Sequence, residues 1–168
     1  DRDILTIAAE RIGNEELTED TINDLNYKRN DVASAGITGV MGMGNIPIYN
    51  QMFLEQAKII RKLANYGSAV FLGRCADYIL KDIKNCTSVY LYADREFRKN
   101  RVKEIYGSNA EIMDKEEKNR ADYYNYYTGN RWGDINNYDF AINTSKVSFE
   151  EAADLIYRFA KDKQRSEE

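Results

Sequence analysis

The feature that most constrains this chain is a series of short apolar runs set between helical patterns. Ala69-Val70-Phe71-Leu72 and Val89-Tyr90-Leu91-Tyr92 are continuous rather than alternating, as expected of strands buried on both faces. Phe140-Ala141-Ile142 predicts a third strand. Before the first run, Phe53, Ala57, Ile60 and Ala64 mark an amphipathic helix that stops at Gly67. A short helix is expected over 76–81, and another starts at Asp94, a plausible N-cap. A long polar helix is expected over 109–127. Ser148-x-x-Glu151 has the form of a capping box opening a helix with Phe149, Ala152, Ile156 and Phe159 on one face. Strands alternating with helices predict one α/β domain over residues 1–168, a parallel sheet in three layers with helices on both faces and right-handed crossovers.

Upstream, Ile4, Ile7, Ala8 and Ile12 recur at helical spacing, and a more polar helical stretch covers about 19–29. Gly36, Gly39, Gly42, Gly44 and the single proline, Pro47, then read as a mobile connection or lid-like insert. Gly42-Met43-Gly44 is no phosphate loop, because G-x-x-x-x-G-K-[ST] occurs nowhere in the chain.

Charge narrows the partners. The 24 Lys and Arg face 28 Asp and Glu, a formal net charge of −4, which gives no electrostatic footprint for nucleic acid or a membrane surface. No run is long enough to span a bilayer, and no signal peptide is recognised. Two cysteines, Cys75 and Cys86, are too few for a disulfide framework and suit a reducing cytoplasm. Histidine is absent. A histidine triad or histidine zinc site is thereby excluded, and no metal ligands are assigned.

Ligands of open α/β sheets bind beyond the carboxyl ends of the strands, where this chain places Gly73-Arg74-Cys75-Ala76-Asp77-Tyr78, Ala93-Asp94-Arg95 and Asn143-Thr144-Ser145. Arg74 offers a planar donor fork suited to phosphate; the competing reading is a surface arginine capping a sheet edge. Arg101 shares the stripe of Phe97 and Ile105, so it snorkels or pairs with phosphate or a neighbouring carboxylate. Arg95 and Lys99 read as solvated charges. Arg120 shares a helix face with Tyr123, Tyr124 and Tyr127, a pattern for base stacking and phosphate binding or for packing of that helix on the domain.

These blocks, in this order, resemble the cytidylate kinase-like family, relatives of bacterial cytidylate kinase within the P-loop nucleoside monophosphate kinases. The resemblance rests on Val70 to Leu80, on Ala93 before an arginine-bearing helix, on Arg120 with Tyr123-Tyr124, on Trp132-Gly133-Asp134, and on Asn137 to Ser145. Asp1-Arg2-Asp3-Ile4 resembles the start of that family's second helix. The resemblance implies five parallel strands and transfer of the ATP γ-phosphoryl to a nucleoside monophosphate, with Mg²⁺ on the phosphates. Arg74 would hold the acceptor phosphate, with Asp77 and Arg131 also on the substrate side. Asp122 would partner a ribose or a phosphate-binding arginine. Arg120 would clamp the transferring phosphoryl from a lid over 107–136, while Arg101 and Arg98 would face the donor phosphates. Residues 14–50 would form the monophosphate-binding insert. The family's first strand and phosphate loop would precede Asp1, so this chain is expected to be an incomplete, inactive form with a homodimer as one way to fill the gap. Cys75 stands where cytidylate kinase proper carries an acid that reads cytosine, which leaves the base open. Two rivals stand beside the kinase: a non-catalytic nucleotide-binding regulatory domain, and an interaction module using its tyrosines.

Overall fold

A computed structural model describes residues 48–107 and 110–166. The expected elements upstream of residue 48, including most of the 14–50 insert, lie outside the described residues. The order is α1 (Ile48–Tyr66), α2 (Ala76–Ile79), β1 (Val89–Tyr92), α3 (Arg95–Tyr106), α4 (Ala110–Thr128), a 3₁₀ turn (Ile135–Asn137), β2 (Phe140–Asn143) and α5 (Phe149–Ser166).

β1 and β2 pair in parallel, from Val89 opposite Phe140 to Tyr92 opposite Asn143. A parallel pair needs a long crossover, supplied by α3, α4 and the 3₁₀ turn. The chain is thus α/β with a small parallel sheet and several helices. Among the described residues the sheet has two strands, where the resemblance implies five.

The apolar run at 69–72 forms no strand. Val70 is 90% exposed and Leu72 78%, and only Phe71 packs against the core. A strand exists through its ladder, and no described segment pairs with this one. Hydrophobicity alone therefore leaves it extended and unpaired.

The core forms where α1 meets α2 and α4. Ile60 is fully buried, joined by Ala57, Cys75, Ala76, Ile79, Leu80 and Tyr124; sealing one such aliphatic side chain contributes about 2 kcal/mol. Phe53 of α1 stacks on Tyr127 of α4 at 4.1 Å between centroids. Phe140 of β2 stacks on Phe159 of α5 at 4.8 Å.

Two caps test the local expectations. The capping box forms: Ser148 N–H donates to Glu151 Oε2 at 2.9 Å and Glu151 N–H to Ser148 Oγ at 3.1 Å. Asp94 precedes α3 but makes no side-chain cap bond. Its carboxylate instead accepts from Asn143 Nδ2 at 3.2 Å and pairs with Lys146 at 3.0 Å. These bonds hold it below the usual carboxylate range, the Lys146 hydrogen bond foremost.

Candidate functional site

The turn entering α2 is the most strained backbone among the described residues. Gly73, Arg74 and Cys75 follow one another at φ +69°, +56° and +55°. Glycine adopts this region freely, whereas a side-chain-bearing residue there costs about 1–2 kcal/mol. Two such residues in succession, at the end of an apolar run, mark a place where the backbone is bent to aim side chains.

Arg74 is half-buried beside Tyr123 and Cys75. Burial, then the charge of Asp77, pushes the Cys75 thiol up to about 12 against the opposing pull of Arg74. It remains a neutral packing group at physiological pH rather than a nucleophile. Asp77 accepts a 2.7 Å hydrogen bond from Tyr124 Oη. Tyr124 is 4% exposed; burial first, then its bond to Asp77, drives its phenol far above the ordinary range. Tyr138, in the approach to β2, lies beside Tyr124. Its phenol is pushed up to about 12 by burial and then by the Asp77 charge.

An aromatic wall backs these groups. Tyr138 stacks on Tyr90 of β1 at 5.0 Å, and Tyr90 meets Trp132 edge-on at 5.9 Å. Gly133 lies so close that a Cβ there would sit 3.2 Å from Tyr90 Oη, and its φ is +80°. This is a physical reason for the Trp-Gly-Asp block. Asn125 Oδ1 accepts from Trp132 N–H at 2.7 Å, and Asp134 Oδ1 accepts from Asn136 N–H at 3.0 Å to cap the 3₁₀ turn. The phenol of Tyr90 is raised by burial and by Glu117, with Arg98 opposing. The Arg98–Glu117 pair therefore neighbours the same wall.

The other expected residues are dispersed around this cluster. Arg98 pairs with Glu117, tying α3 to α4, and Arg95 pairs with Asp114 between the same helices. Both side chains of that second pair are about half exposed (53% and 49%), so Arg95 is the solvated surface charge expected of it. Arg101 is exposed, its guanidinium 4.2 Å from the centre of the Phe149 ring. Phe97 and Ile105, which share its stripe, are themselves exposed, so no buried partner is demanded. Arg120 and Arg131 are exposed and make no ion pair among the described residues; Asp122 is half-buried on α4. The tyrosine face of α4 follows the packing alternative. Tyr123 and Tyr127 pack on Phe53, and Tyr124 joins the core.

At the far ends of the strands the two following loops close on each other. Asp94 N–H donates to Ser145 Oγ at 2.6 Å, and Thr144 N–H to the Tyr92 carbonyl at 2.8 Å. The described residues gather no group of three carboxylates, cysteines or histidines able to hold a metal.

Tyr138 carries no assigned role in the sequence reading, and Tyr124 figures there only in the tyrosine face beside Arg120. Each lies inside a block that the resemblance rests on, but a bond from Tyr124 to Asp77 spans 47 residues, beyond the reach of periodicity.

No curated protein matches the chain. A crystal structure of an uncharacterized protein from Eubacterium ventriosum is similar, with a TM-score of 0.63 and 34% identity over 67% of this chain and 73% of that one. The strained Gly-Arg turn, the α4 tyrosines and the Trp-Gly-Asp block all fall within residues 1–146, which match the profile of the cytidylate kinase-like family, and the chain belongs to that family.

Proposed function

We propose that this chain carries the acceptor side of a nucleoside monophosphate kinase. The observation that bears most weight is the Gly73-Arg74-Cys75 turn, whose left-handed backbone holds Arg74 three residues from a tyrosine-bonded carboxylate, Asp77. A guanidinium fork on a preorganised turn suits a phosphate monoester, and family membership supports the kinase theme. In the reaction, an oxygen of the acceptor phosphate attacks the γ-phosphorus of ATP. The bond from that phosphorus to the β–γ bridging oxygen breaks, and ADP departs. Such transfer is mostly positioning and charge neutralisation, chemistry that needs no histidine.

Arg74 would bind the acceptor phosphate. Exposed Arg120 would be free to swing onto the transferring group, with Arg131 and Asp122 on the same side. Mg²⁺ supplies charge neutralisation when it arrives on the nucleotide phosphates; the described residues offer it no three-ligand site of their own. The full-length protein is expected to bind one nucleoside monophosphate by calorimetry. Arg74→Ala should weaken that binding by about a hundredfold, the order expected on losing a buried charge-assisted pair. Binding of no monophosphate by the full-length protein overturns the proposal.

A second reading, a nucleotide-binding domain without turnover, has one observation in its favour. Arg98 and Arg101, the arginines expected to face the donor, are engaged by Glu117 and by the Phe149 ring. Monophosphate binding without ADP production from ATP would select it.

A further inference from the structure

Asp77, Tyr124 and Tyr138 come from three separate parts of the chain: α2, α4 and the approach to β2. They meet around one hydrogen bond. Tyr124 Oη gives its only proton to Asp77 at 2.7 Å. Beside it lies the Tyr138 phenol, in the approach to β2. Behind Tyr138 stands Tyr90, stacked at 5.0 Å, and behind Tyr90 the close approach of Gly133. No member of this series is a loose surface group: Tyr124 is buried, while Tyr138 and Asp77 are half-buried.

A carboxylate has room for about four hydrogen bonds. Tyr124 occupies one position on Asp77, and the carboxylate is still partly open to solvent. It lies three residues from Arg74, on the turn whose backbone is strained.

We infer that Tyr124 and Tyr138 are positioning residues that hold Asp77 as the acceptor for a hydroxyl or amine of the nucleotide bound at Arg74. The inference rests on the kinase reading for the identity of that ligand. Neither phenol touches the ligand. Tyr124 fixes the carboxylate, Tyr138 flanks Tyr124 from its stack on Tyr90, and one turn before Tyr124 the same helix carries Arg120. The series therefore links the acceptor turn to the helix of the clamp arginine.

The test is calorimetry on the full-length protein with CMP, UMP, AMP, GMP, ribose 5-phosphate and inorganic phosphate. Tyr124→Phe is expected to weaken the best-bound monophosphate by about tenfold, the scale of one hydrogen bond at a charged group, and Tyr138→Phe by a smaller but measurable factor. Binding of inorganic phosphate should be unchanged. On an Asp77→Asn background, Tyr124→Phe should add little, because the group it positions is already altered. A parallel loss for ribose 5-phosphate identifies a sugar hydroxyl as the donor, and a loss confined to the nucleotides identifies a base amine; either supports the inference. Tyr138→Phe, at the outer end of the series, serves if Tyr124→Phe does not fold. If the wild type binds a monophosphate and both phenol variants match it, the positioning role is overturned while the kinase reading stands. If the wild type binds none of the four monophosphates, both fall.

Discussion

Tyr123 and Tyr124 are neighbours on α4, and their hydroxyls have opposite fates. Tyr124 donates to Asp77. The Tyr123 hydroxyl is sealed from solvent without a well-formed hydrogen bond, and burial drives its phenol far upward, with Arg74 in opposition. A buried polar group without a partner costs about 1–3 kcal/mol, whereas removing a partnered one costs a similar amount in the other direction. Tyr123→Phe is therefore expected to leave stability unchanged or raise it by up to about 1 kcal/mol. Tyr124→Phe should lower it by about 1–2 kcal/mol. Urea midpoints of the two variants measured side by side decide the matter; equal losses would mean that Tyr123 has a partner after all. Little of this contrast was legible in the sequence. Two adjacent tyrosines carry the same composition and nearly the same helical position, and only the tertiary fold brings Asp77 to one of them. The left-handed run at 73–75 was equally hidden, because Arg and Cys have no preference for that region.

At the scale of elements, hydrophobic periodicity was informative wherever the structure supplied a partner. β1 and the 140–142 run formed, and so did the helices built on Phe53–Ala64 and on the Ser148 capping box. The run at 69–72 reads no differently from β1 as a string of letters, yet it is not a strand. Periodicity reports which residues avoid water, but a strand also needs a neighbour's backbone. Substitution separates these contributions. Val70→Lys and Leu72→Lys change side chains that are almost wholly exposed and should shift stability by less than about 0.5 kcal/mol. Phe71→Ala removes the ring that packs on the core cluster and should cost about 2–3 kcal/mol, below the fully buried value because Phe71 is half-buried. Chemical denaturation of the three variants is the measurement. A large loss at Val70 would show that the run is covered in the protein in solution.

Across the whole molecule, β1, β2 and α5 are joined at one carboxylate. Asp139 accepts from Ser88 N–H at 2.8 Å and Ser88 Oγ at 3.0 Å, and pairs with Lys163 of α5 at 2.9 Å. Lys163 also donates to the Cys86 carbonyl at 2.8 Å. Partial burial alone would raise the Asp139 carboxyl, but the Ser88 and Lys163 bonds outweigh it and hold it below the usual 3.8. A carboxyl depressed in the folded state binds fewer protons there than in the unfolded chain, so stability rises with pH across its titration. The contribution is fully present above the unfolded value near 3.8 and is lost as pH falls through the lower folded value. Asp139→Asn keeps the shape and removes the titration. It should be less stable than the wild type at pH 7 by about 1–2 kcal/mol, a range set by lost charge-assisted bonds at a partly exposed site. The gap should narrow steadily as pH falls below 3.8. Urea unfolding of both proteins at neutral and acid pH reads this directly. A gap that stays constant with pH would mean that Asp139 stabilises the junction by shape rather than by charge. In that case Lys163→Met, which removes the cation but keeps the apolar stem, should be almost neutral, whereas the ion-pair account requires it to lower stability and to lessen the acid dependence.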